Sequence, residues 1–77
     1  MKQNKQALIK LGQCIKDHRK RLELTQKALA SLANVGPNFV GQVETGKSTA
    51  HISKVLDVLS ALGLQLKVEY GKEKIKC

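Results

Sequence analysis

The sequence predicts an all-α domain of four to five helices that ends in a short β-strand. Three observations carry this. Apolar residues recur at three- and four-residue steps from Leu8 to Leu62. Between Gln26 and Glu44 that pattern is cut in two by Asn34, Gly36 and Pro37. After Gly63 the period changes to strict alternation. With 77 residues the chain has room for one small domain, which buries a limited share of its apolar surface. Residues 1–7 read as a flexible N-terminus, 8–63 as the helical domain, 64–70 as the strand and 71–77 as a flexible tail.

The first helix follows from Leu8, Leu11, Ile15, His18 and Leu22, which share one stripe, with Lys10, Lys16, Asp17, Lys20 and Arg21 opposite. Asn4 offers an earlier start. Thr25 is a good N-cap for the second helix, Gln26 to about Ala33, which turns Leu29, Ala30 and Leu32 inward. Asn34 stops it, since Asn enters the left-handed region more readily than any residue but Gly. Val35 drops into the core, Gly36 caps, and Pro37 opens the third helix, where its missing amide costs nothing. That helix reaches about Glu44 and stops near Thr45-Gly46. Ser48 or Thr49 caps a fourth, from about His51 to Leu62, with Ile52, Val55, Leu56, Leu59 and Leu62 inward.

Composition restricts the function. Fourteen Lys+Arg against six Asp+Glu give a net charge of +8, which favours a polyanionic partner. Eight of the basic and two of the acidic residues fall in residues 1–36. No apolar run is long enough to span a membrane, and no basic-then-apolar leader is present, so a cytoplasmic protein with no membrane partner is expected. Cys14 and Cys77 suggest neither a disulfide framework nor a zinc site, so no metal or other cofactor is expected. Phe39 and Tyr70 are the only aromatics, which leaves no stacking platform for single-stranded nucleic acid. His18 lies on an inward stripe and His51 near a helix start. No nucleophile-base pairing or phosphate-binding glycine loop accompanies them, so the chain is not expected to be an enzyme.

The broken pair of helices has a use. A short helix held at an angle on a firm base can enter the DNA major groove. Val40 and Val43 face inward in this reading, leaving Pro37, Asn38, Gly41 and Gln42 outward. Asn and Gln can pair bidentately with the adenine edge, each pair giving about 1–3 kcal/mol of discrimination. Gly41 lies mid-helix at a cost of about 1 kcal/mol relative to Ala, which close approach of DNA would explain.

The stretch "IKDHRKRLELTQKALASLANVGPNFVGQVETGK" resembles the Cro/repressor-type (XRE) helix-turn-helix family, over about residues 11–62. The segment "VGPNFVGQVETGKSTAHISKVLDVLSALGLQLKV" looks like the HipB-type antitoxins, which repress their own operon and pair with a HipA-type kinase toxin. The resemblance implies a lambda-repressor-like fold and a sequence-specific double-stranded DNA-binding repressor. It implies base reading by Pro37, Asn38, Gly41 and Gln42. Contact with the DNA backbone is implied for Thr25, Gln26, Lys27, Thr45, Lys47 and Ser48. Arg19 and Glu44 match a pair that ties the first helix to the end of the third. The chain departs from the family at Asn34, where Gly is usual, and at Gly41, where a longer polar residue is usual. A protein-binding subunit, with the kinase as main partner and DNA secondary, is the alternative.

The strand has no mate within the chain. The economical solution is the same strand from a second copy, making a homodimer through Leu64, Leu66, Lys67, Val68, Glu69 and Tyr70. Lys67 on the axis would face its own copy, whereas centring the pair on Val68 sets Lys67 opposite Glu69 of the partner subunit and centring it on Leu66 sets Lys67 opposite Gln65 of the partner subunit. Such a dimer suits a palindromic operator.

Overall fold

The computed structural model describes residues 2–47 and 51–67. Four helices follow in order, α1 (Lys2–Arg21), α2 (Gln26–Ala33), α3 (Pro37–Glu44) and α4 (Ile52–Ala61). Packing of α2 against α3 and α4, and of α1 against α3, gathers one core in which Ile15, Leu29, Val40 and Val58 are fully buried. α1 begins at Lys2, six residues before Leu8. Its first turns hold Lys, Gln and Ala, which favour helix without a packed face, and Asn4 lies inside it.

Each helix ends in the same way. The residue after the last turn is left-handed, at Glu23 (φ 59°), Asn34 (φ 58°), Gly46 (φ 80°) and Gly63 (φ 75°). In each case its amide and the next one donate back into the last turn. The pairs Asn34 N to Ser31 O and Val35 N to Ala30 O do so for α2, and Gly46 N to Val43 O and Lys47 N to Gln42 O for α3. This double bond satisfies carbonyls that a helix end leaves open and fixes the direction of the exit. Asn34 therefore sets the angle at which α3 leaves α2.

Several inward assignments change. Leu22, Leu32, Ile52 and Leu56 are all exposed, whereas Ala33 and Val58 join the core. On α4 and at its C-cap, Val55, Val58, Leu59 and Leu62 are buried in the core, whereas Ile52 and Leu56, one turn apart, lie to one side of them in solvent. Leu22 falls in the turn beyond α1. Leu64 packs against the core, but 64–67 form no strand; Val68, Glu69 and Tyr70 lie outside the described residues. A strand exists only through a ladder, and among the described residues a single chain supplies no second edge. Ser48 and Thr49 also lie outside them; His51 stands at the N-cap of α4 without a side-chain cap bond. Cys14, buried in α1, is disulfide-bonded, which corrects the expectation that it enters none.

No described helix is long and apolar enough to cross a membrane, and no described cluster of His, Cys, Asp or Glu could hold a metal ion.

Candidate nucleic-acid interface

α2, the turn at Asn34-Val35-Gly36 and α3 form the helix-turn-helix. Thr25 is extended (φ −78°, ψ 164°), and its Oγ1 accepts from Ala28 N at 3.0 Å. The hydroxyl proton is left to donate outward. Gly36 is extended at the N-cap of α3, and Pro37 occupies the first turn.

α3 is two-sided. Val40 and Val43 are buried, whereas Pro37, Asn38 and Gln42 are exposed. The polar side chains expected to read bases thus share the solvent face of a helix anchored from behind. Lys27 and Lys47 are exposed at either end of the motif. Thr45 Oγ1 donates to Gln42 O at 2.8 Å, so this hydroxyl offers an incoming phosphate only acceptor capacity. Ser48 lies outside the described residues.

The base of α3 is fixed by a buried cluster. Arg19 donates from Nε to Glu44 Oε2 at 2.6 Å and from Nη2 to Oε1 at 3.1 Å, and its Nη1 donates to Leu24 O at 2.7 Å. A guanidinium in this fork geometry fixes both distance and rotation. It joins the end of α1, the α1–α2 turn and the last residue of α3. Gln26 Nε2 donates to Glu44 Oε1 at 3.0 Å and completes the cluster. The carboxylate at the negative end of α3 is thereby met by charged and neutral donors.

Two glycines matter differently from their sequence reading. A Cβ on Gly41 would lie 3.4 Å from Gln26 Oε1, an ordinary contact, so the Gln26 carboxamide covers this part of α3. The sequence reading missed Gly12. A Cβ there would collide with the backbone oxygens of Val43 and Glu44, the latter at 2.7 Å, so a bare Cα is what lets α1 approach the end of α3. The available signal was a glycine inside a strong helical pattern.

A two-sided third helix, a left-handed Asn turn and a buried tie at its base define a DNA-binding helix-turn-helix protein. The comparisons agree. A helix-turn-helix domain family model matches residues 10–69, and the chain belongs to this family, in its Cro/repressor (XRE) class. It is 41% identical over 66 residues to an uncharacterized HTH-type transcriptional regulator of Sinorhizobium fredii (strain NBRC 101917 / NGR234), covering 86% of this chain and 87% of the relative. It is 34% identical over 65 residues to the immunity repressor protein of Bacillus phage phi105, covering 84% of this chain and 45% of the relative.

Proposed function

We propose that the chain is a sequence-specific transcriptional repressor that binds a palindromic operator as a homodimer. The carrying observation is the exposure of Asn38 and Gln42 over the buried Val40 and Val43, a donor-acceptor face on a helix that cannot roll. Base readers at Pro37, Asn38, Gly41 and Gln42 then lie between backbone contacts from Thr25, Lys27 and Lys47. The net charge of +8 supplies the sequence-independent attraction to the duplex. Its place of action is the cytoplasm, where bacterial DNA lies.

A second copy is supported by apolar surface. Ile52 and Leu56, one turn apart on α4, are 61% and 43% exposed, and Leu66 beyond its end is 45% exposed. Pairing of residues 64–70 across a two-fold axis would cover such surface and set two reading helices about 34 Å apart. The antitoxin reading, with a HipA-type kinase as partner, rests on the resemblance of residues 35–68 to HipB-type proteins.

Binding of the purified protein to DNA upstream of its own gene, against a scrambled duplex at several salt concentrations, tests this reading. The expected result is a preference of roughly a thousandfold or more with a steep salt slope. Equal, purely salt-driven binding to both duplexes overturns it.

A further inference from the structure

We propose that Gln26 is a specificity-determining residue, which reads a base edge from α2 through the gap left by Gly41. The inference deepens the repressor reading above and rests on it.

Gly41 is half-buried on α3, flanking the exposed Asn38 and Gln42. The helix has no side chain there, yet the place is not empty. The Gln26 carboxamide lies against it, with Oε1, Nε2 and Cδ at 3.4, 3.6 and 3.7 Å from where a Cβ would stand. A polar side chain is therefore present at this point of the reading face, delivered from the first residue of α2.

The carboxamide is also oriented. Nε2 donates one proton to Glu44 Oε1 at 3.0 Å, and that carboxylate is itself gripped by Arg19. An amide nitrogen has two protons, and the oxygen two lone pairs. One N–H and Oε1 therefore remain unused by any hydrogen bond given above, on a residue that stays exposed. A donor beside an acceptor in a fixed plane is the pattern that matches adenine in the major groove. A rotamer held in advance by Glu44 has less freedom to lose on binding. The buried ion pair thus orients a reading group as well as the helix.

A phosphate contact by the same amide is the competing role, and it predicts something different. A base reader changes preference at one position, whereas a backbone contact weakens every sequence alike.

The test is selection from a pool of random-sequence duplexes by the wild type, Gln26→Ala, Gln26→Met and the double variant Gln26→Ala/Gly41→Gln. Thermal unfolding of each is measured alongside. The Met variant keeps the stem over Gly41 and removes only the carboxamide. In both single variants one base-pair position per half-site is expected to lose about tenfold or more of its adenine preference, with the rest of the motif retained. The double variant, which moves the carboxamide onto α3, is expected to restore part of it. An unaltered motif, or an equal loss at every position, overturns this inference alone. A wild type that enriches no motif overturns the repressor reading and this inference with it.

Discussion

Arg19 and Glu44, 25 positions apart in sequence, meet in a bidentate buried ion pair with N–O separations of 2.6 and 3.1 Å. Their side chains are 9% and 3% exposed. Such a pair is worth little against a well-packed apolar replacement, but removing one partner strands a buried charge. Arg19→Ala and Glu44→Ala are each expected to lower stability by about 3–5 kcal/mol in urea unfolding. The double variant Arg19→Met/Glu44→Leu should recover most of that loss. A single variant costing under about 1 kcal/mol would show that the pair holds nothing in place.

Gly12 and Gly41 make a matched comparison, because both are glycines inside helices. Glycine to alanine in an exposed helix interior gains about 1 kcal/mol. At Gly41 the new methyl meets only the Gln26 side-chain amide, at ordinary van der Waals distance, so Gly41→Ala should raise stability by up to about that amount. At Gly12 it meets the backbone of Val43 and Glu44, which cannot move without shifting α3. Gly12→Ala should therefore lower stability by about 1–3 kcal/mol, as overpacking does. The melting temperatures of the two variants should move in opposite directions. A common sign would sink the packing account.

Asn34 shows what could be read in advance and what could not. Its role as a left-handed stop was legible, because residue type and position in the pattern sufficed. Pro37, Thr25 and the inward Val40 and Val43 were legible for the same reason, each being set by neighbours within a turn. The stripes of α1, α2 and α4 were read too widely. Periodicity shows that Leu22, Leu32, Ile52 and Leu56 are apolar at helical spacing, but which part of an apolar face is covered depends on a helix distant in sequence. Gly12 and the tie from Gln26 to Glu44 are tertiary facts of the same kind. The Arg19–Glu44 pair came from family resemblance, since no local spacing links residues so far apart.

The Asn34 stop itself gives a prediction. At φ 58° a β-branched residue meets its own carbonyl, while glycine is at ease. Asn34→Gly should change stability by less than about 1 kcal/mol, and Asn34→Val should lower it by about 1–2 kcal/mol or more. Because the turn aims α3, Asn34→Val should also lose DNA affinity under conditions where the protein remains folded. Full retention of affinity would mean that the exit angle of α2 does not position the reading helix.

The division between backbone and base contacts is separable by salt. Lys27 and Lys47 are exposed cations at the two ends of the motif, whereas Asn38 and Gln42 are exposed neutral amides between them. A cation that neutralises a phosphate releases a counterion, so its removal lowers the slope of log K against log salt by about 0.9. A neutral amide on a base edge releases none. Lys27→Gln and Lys47→Gln are therefore each expected to flatten the slope by about one and to weaken specific and scrambled duplexes alike. Asn38→Ala and Gln42→Ala are expected to keep the slope and lose roughly tenfold or more on the specific duplex alone. Titration of the four variants on both duplexes at three or more salt concentrations resolves the two groups. Lysine variants that change preference, or amide variants that change slope, would reverse the roles given to the two sets of residues.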